Sequence, residues 1–288
     1  MATLRAIRRR INSISNIRQV TDAMRMVSAA KLRRAQENIE AAKPYAERLA
    51  VLVHHLASRV GGELHPLMVT RPVQMVCLIP ITSDRGLCGS FNFNVIRRTI
   101  SMIEGYEEQG IGVGLICVGK RGADYFRNRG YGVIDEYINI FRRLSFEYAM
   151  DVARQIHALY MWGHIDKVEM IYNDFRSAIL QETLVEQILP VIPEEPETRF
   201  YFFDYEYEPD QREILNEVLP KYLMTLIWKA MLDSNAAEQA ARMTAMENAT
   251  DNADELIRKL TLQRNRIRQT NITREITEIV GTAEALEE

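Results

Sequence analysis

The chain has 288 residues, of which 47% are hydrophobic and 26% charged, and a net charge of −3 at pH 7. That balance excludes a disordered polymer, and no apolar run approaches the roughly 18 residues that a membrane-spanning helix needs. Cys77, Cys88 and Cys117 are far apart and form no CxxC pair, which excludes a disulfide framework or a cysteine zinc site and suits a reducing compartment.

The near-neutral total hides an asymmetry. Residues 1–36 hold nine Lys/Arg against Asp22 alone, a net of +8, whereas residues 186–210 hold eight acids against Arg199, a net of −7. The opening is Arg-rich and acid-free like a transit peptide, but its apolar positions run on into the next helix, so it reads as structure. Residues 3 to 58 contain one proline and no glycine and form one long helical pattern. Leu4, Ile7, Ile11 and Ile14 open a heptad stripe. Ile17, Val20, Met24 and Val27 continue it after a slip, and Leu32, Ala35, Ile39, Ala42, Ala46, Leu49, Val53 and Leu56 complete it. Pro44 predicts a bend or joint, and "GGELHP" ends the helix.

The period then changes. "VQMVCLIPIT" (73–82), "IGVGLICVG" (111–119) and "KVEMIYNDF" (167–175) are strand-like, and helical patterns lie between them at 92–109, 120–128 and 146–162. This alternation predicts a Rossmann-like α/β layer with mainly parallel strands, and "ETLVEQILPV" and "RFYFFDYEYEP" read as further extended segments. From Pro209 the helical period returns almost to the C-terminus, with Pro220 predicting an early break or kink. Leu223, Leu226, Ala230, Ser234, Ala237 and Ala241 form a small-residue seam, followed by Met246, Ala249, Ala253, Leu256 and Leu260. Roughly 70 helical residues at about 1.5 Å each make a rod on the order of 100 Å. The predicted organisation is an N-terminal helix over 1–60, an α/β domain over 61–208 and a C-terminal helix over 209–288.

The two long helices each carry an apolar stripe, and each is the nearest cover for the other. Both join the α/β domain at their inner ends, so they pair antiparallel with facing numbers that add to roughly 270. Met24 then comes near Arg242–Met246, and Arg5, Arg8, Arg9 and Arg10 come near Arg264, Arg266 and Arg268, forming a basic collar. Beyond about residue 268 the C-terminal helix outruns its partner. There Ile272, Ile276, Ile279, Ala283 and Leu286 make a stripe with no intramolecular cover, a pattern that predicts a socket with acidic walls and an apolar sleeve.

Five stretches resemble the γ subunits of rotary F-type ATP synthases, in the family's order and over essentially the whole chain. They are "IRQVTDAMRMVSAAKLRRAQ" (17–36), "TSDRGLCGSFN" (82–92), "YEPD" (207–210), "NAAEQAARMTAMENATDNA" (235–253) and "RQTNITREITEIVGTAEAL" (268–286). Ser90 and Thr282 stand where the family usually has glycine. The resemblance implies a non-catalytic central shaft without cofactor or metal, turning in the axis of an α/β hexamer. It implies that Met24 and Arg242 meet the β subunit's acidic catch loop, and that Arg268, Gln269, Thr273 and Glu275 form an upper coupling contact. Tyr205, Tyr207 and Glu208 would lie in a foot that meets the membrane c-ring and the ε subunit. "PEEPETR" lacks the cysteine pair of the light-regulated plastid branch, so redox switching by that route is not expected. The match begins near residue 3 and leaves no room for a presequence, which implies a bacterial protein, peripheral on the cytoplasmic face of the membrane.

Other readings are weaker on the residues themselves. "TSDRGLCGSFN" follows a strand and precedes a helix, but it has neither GK[ST] nor GxGxxG, and it reads as a tight structural turn with Asp84 and Arg85 paired locally or to a partner. His54 and His55 point to different faces of a helix, and no Ser/His/Asp or Cys/His spacing marks a catalytic set. An Arg-rich helix without interleaved aromatics does not predict nucleic-acid binding. An α/β enzyme with helical arms would need a constellation of acids that is missing, and a plain coiled-coil tether would need no uncovered terminal stripe.

Overall fold

The structure is a computed structural model of the chain. It describes residues 4–60, 65–177, 180–192 and 210–287, with the side chains of 58–60, 211, 278 and 281–287 outside the description. The elements are α1 (Leu4–Val60), a 3-10 turn (Pro66–Met68), β1 (Met75–Pro80), α2 (Phe91–Glu107), β2 (Gly112–Val118), α3 (Lys120–Asn128), β3 (Val133–Tyr137), α4 (Phe146–Met161), β4 (Lys167–Phe175), β5 (Gln181–Leu189) and α5 (Gln211–Glu287). They form two compact units, Ala29–Arg242 and Met1–Ser28 with Met243–Glu288. The fold is α/β, a Rossmann-like, mainly parallel sheet together with a long antiparallel helix pair.

In the Ala29–Arg242 unit the sheet order is β3-β2-β1-β4-β5. β1 pairs parallel with β2 and β4, and β2 with β3, while β5 runs antiparallel to β4. Parallel strands covered on both sides read as continuous apolar runs, and β1 is of this kind. Its Val76 and Leu78 join Leu115, Cys117 and Ile171 beneath α2 and α3. Its Cys77 and Ile79 face the other way, into a core shared with α4 and with Leu49, Val53 and Leu56 of α1 and Leu215, Leu219 and Leu223 of α5. The terminal helices therefore form the second cover of the sheet.

The structure adds to the sequence reading at β3 and at the two helical prolines. β3 was not anticipated, because it is a short, half-exposed edge strand with two acids, "VIDEY". α1 runs through Pro44, and α5 through Pro220, without a break in either helix. A helical proline forfeits one backbone hydrogen bond at a cost of about 3 kcal/mol, which nearby packing of Leu49 and Leu219 offsets. The segment "RFYFFDYEYEP" lies outside the described residues.

In the other unit α1 and α5 are antiparallel. Thr21 and Thr250 share a hydroxyl hydrogen bond of 2.8 Å, and Arg18 pairs with Asp254 at 2.6 Å, so facing numbers add to about 271. Ile7, Ile11, Ile14, Arg18, Thr21, Arg25 and Ser28 of α1, each buried or half-buried, follow one another at an unbroken alternation of four and three. The seam does not slip; it turns polar. Ile17, Val20 and Val27, expected in it, stand one position off and are 56%, 58% and 55% exposed. On α5 Leu256, also expected in the seam, is 48% exposed.

α2, α3 and α4 all end in the same paired hydrogen-bond motif closed by Gly110, Gly130 and Gly163. Gly119 is under a stronger constraint. It opens α3 at φ 93°, and a Cβ there would lie 2.0 Å from the Thr82 carbonyl oxygen. Gly119→Ala is expected to destabilise the chain by about 3 kcal/mol or more, combining left-handed strain with a backbone clash. Gly130→Ala, at φ 77° with open space around it, isolates the strain and should cost about 1–2 kcal/mol. Denaturant midpoints of the two variants measure the difference, and equal losses would show that the close approach to Thr82 carries no weight.

Candidate functional site

No group of three or more His, Cys, Asp or Glu side chains that could hold a metal occurs among the described residues. The candidate surfaces are contact surfaces, and the first is the C-terminal end of α5. Leu4 is the first described residue of α1, and by the observed register it faces about residue 267. Past that point α1 offers no opposing residue. Ile272, Ile276, Ile279 and Val280 lie at helical spacing there and are 47%, 57%, 67% and 50% exposed. Arg268, Gln269, Thr273 and Glu275 are exposed on the same stretch, where the Thr273 hydroxyl donates to the Gln269 carbonyl at 3.0 Å. The helix continues over Ala283 and Leu286, whose side chains are outside the description.

The collar arginines lie toward the open end of the helix pair, beyond the contacts that fix its register. Arg5, Arg8, Arg9, Arg10, Arg266 and Arg268 are exposed, and half-buried Arg264 donates to the Asn265 side-chain oxygen at 3.5 Å. Among the described residues none of the seven makes an ion pair. Met24 is half-buried on α1, and exposed Val20, Met26 and Val27 lie within a turn of it. An off-seam apolar strip of this kind was hidden from sequence reasoning because it imitates the seam. The polar run Arg18, Thr21, Arg25 and Ser28 was the signal that the two differ. Tyr205, Tyr207 and Glu208 fall outside the described residues.

Arg242 points inward. Its side chain is only 11% exposed, and its guanidinium pairs with Glu238 Oε1 at 2.7 Å and donates to the Gly86 carbonyl at 3.3 Å. The 83–92 loop is itself tightly held. Asp84 accepts backbone N–H groups from Lys120, Asn139 and Phe141 at 3.1, 2.7 and 3.0 Å, and Asn92 Oδ1 accepts from Ser83 N at 2.8 Å. Cys88 and Phe91 close the contact against Ala237 of α5. The arrangement is a clamp between the loop and the helix, with a buried ion pair at its centre. Burial pushes the Glu238 carboxyl above its ordinary range, with Asp84 adding to the rise while Arg242 and Lys31 oppose it. Its Oε2 has no hydrogen-bond partner among the described residues. The sequence signal for Glu238 was its position one turn before Arg242.

Removing one partner of a buried pair strands the other, at a cost of about 3–5 kcal/mol, whereas replacing both by apolar groups costs far less. Arg242→Met is therefore expected to destabilise the chain by about 3 kcal/mol at pH 8, and Glu238→Met/Arg242→Met to recover most of that. In the single variant the folded Glu238 pKa lies above the unfolded value, so its protonated form favours folding. The deficit should shrink as the pH falls through the folded pKa and reappear as the pH rises. Urea unfolding of the three chains at pH 5 and pH 8 reads this directly; a pH-independent loss would mean that Glu238 carries no charge there.

Comparison with known proteins gives these surfaces a context. Residues 3–286 match the ATP synthase family. The ATP synthase gamma chain of Chloroherpeton thalassium is 46% identical, over 100% of this chain and 99% of that one. A chain in the central stalk and c-ring structure of the Tetrahymena thermophila mitochondrial ATP synthase is 26% identical, with a TM-score of 0.62 over 80% of this chain and 99% of that chain. A chain of the Euglena gracilis mitochondrial ATP synthase shares the fold at 20% identity, with a TM-score of 0.68 over 98% of this chain and 94% of that chain. A family match over nearly the whole length, joined to a gamma chain at this identity, identifies the protein as a member of the ATP synthase gamma-chain family.

Proposed function

We propose that the chain is the non-catalytic central rotor shaft of an F-type ATP synthase, coupling proton-driven rotation of a c-ring to ATP synthesis or hydrolysis in a hexamer of α and β subunits. The observation that carries this reading is the exposed Ile272, Ile276, Ile279 and Val280 stripe beyond the reach of α1. Burying such side chains is worth about 1.5–3 kcal/mol each, enough to seat the tip in an apolar sleeve. Apolar attraction has no preferred direction, so the tip can turn in its sleeve without breaking specific bonds, which is what a bearing requires. The exposed arginines below it suit acidic walls and orient the tip on entry.

In this reading Arg268, Gln269, Thr273 and Glu275 make the upper contact with β, and the Met24 region makes a lower one. Arg242 belongs to the β-facing set as well, and within its own unit its side chain also holds the 83–92 loop against α5. Residues 1–60 and 209–288 form the shaft and 61–208 the body, whose Tyr205, Tyr207 and Glu208 meet ε and the c-ring. No helix among the described residues is long and apolar enough to cross a membrane, in keeping with peripheral attachment through the c-ring on the cytoplasmic face of a bacterial membrane.

The test is to reconstitute the chain with α and β subunits after deleting residues from Ile272 onward. Assembly yield or ATPase turnover should fall severalfold while circular dichroism shows the truncated chain still folded. Full assembly and turnover would remove the bearing role from the tip and shift the working contacts to the Met24 level.

A further inference from the structure

Within the Ala29–Arg242 unit, α1, α5 and the β4–β5 edge enclose a cavity of about 780 Å³. That volume lies in the range of small-molecule sites. Its walls are largely apolar and aromatic, with Leu184, Leu226, Tyr222 and the rings of Phe146 and Trp228, which meet edge to face at 5.8 Å. The carboxylates at its edge have partners, with one exception. Asp174 pairs with Arg176 at 2.7 Å, Glu47 with Lys43 at 3.7 Å, and nearby Glu186 accepts the Tyr172 hydroxyl at 2.8 Å. Asp233 lines the cavity at 6% exposure and makes neither a hydrogen bond nor an ion pair among the described residues. Lys43, Arg176 and Lys229 line the cavity too; the first two are held in these ion pairs, and Lys229, one turn before Asp233 on α5, is otherwise exposed to solvent.

Asp233 has no donor among the described residues, and its oxygens are not sealed off but open onto the cavity, where a ligand's donor can reach them. Here the missing donor has room to arrive from outside, together with an apolar body. Aromatic faces beside a carboxylate also attract positive rather than negative charge. We propose that this cavity binds a small organic cation, an arylalkyl- or alkylammonium, with its ammonium on Asp233 and its apolar body against Trp228 and Phe146. The titration of Asp233 agrees in sign. Burial, then Asp174, pushes its carboxyl up to about 6, with Glu186 adding to the rise and Lys229 and Arg176 opposing it. Asp233 is therefore ionised at neutral pH and loses its charge, and with it the cation, as the pH falls through 6.

The chain has two tryptophans, so a Trp162→Phe background leaves Trp228 as the single reporter. The probe is 2-phenylethylammonium added to the full chain. A saturable change in Trp228 emission is expected, with affinity at least tenfold weaker at pH 5 than at pH 7.5 and no response to phenylacetate, an anion of similar size. Asp233→Asn should weaken binding at least tenfold. Leu184→Phe, which fills the cavity and keeps the carboxylate, should abolish it; thermal melts confirm that both variants fold. Non-saturable emission, equal binding of phenylacetate, or unchanged affinity in Asp233→Asn would each overturn the proposal.

Discussion

A central strand in a parallel sheet has two apolar faces to hide, and the helices that connect neighbouring strands supply cover where they cross. In this chain α2 and α3 cover one face. The other would be left largely open by α4 alone, and α1 and α5 complete it with Leu49, Val53, Leu56, Leu215, Leu219 and Leu223. The long helices are thus core elements before they are anything else. Their antiparallel pairing follows from docking side by side on one sheet face. The clamp at Glu238 and the cavity beside β4 and β5 lie along the same helices, within the Ala29–Arg242 unit.

Different parts of the helix pair use different forces. Around Leu49 to Leu56 the contact is dense and apolar. Around Thr21 and Arg18 it consists of a hydroxyl pair and a part-exposed ion pair, contacts that fix register and add little stability. A polar seam gives up burial energy to specify alignment, in the way a polar residue at a coiled-coil core position does. It also frees the apolar residues of that stretch, Ile17, Val20 and Val27, to face outward.

Strong local signals were legible in the sequence. β1, β2 and β4, and the helices between strands, stand within a few residues of their expected places because each combines one clear period with turn residues at its ends. The pairing register was legible too, since both helices are anchored at known inner ends. What hid was whatever resembled something else. Ile17, Val20, Met24 and Val27 repeat at seam spacing, and only the partner helix decides which of two adjacent stripes is buried. β3 hid because an edge strand needs little hydrophobicity. The inward engagement of Arg242 hid because its partners, Glu238 and the Gly86 carbonyl, come together only when the loop folds against α5. Of the candidate site, the tip and the collar could be read as linear patterns, whereas the clamp and the Asp233 cavity exist only in three dimensions.

The end of α5 has a further property. Ile272, Thr273, Ile276, Thr277, Ile279 and Val280 are all β-branched, a class that loses rotamer freedom in a helix and favours it less than Leu or Ala would. The Thr273 and Thr277 hydroxyls bond back to carbonyls one turn earlier, a habit that slightly weakens helices. Past the end of α1 the described side chains of this stretch are exposed, so packing does little to offset these preferences there. Amide exchange in the free chain should therefore be fast over this stretch and slow sharply toward Thr250, and enclosure would stiffen it. The helix is then rigid only where it is surrounded, so its stiffness is a property of the assembly and not of the isolated chain.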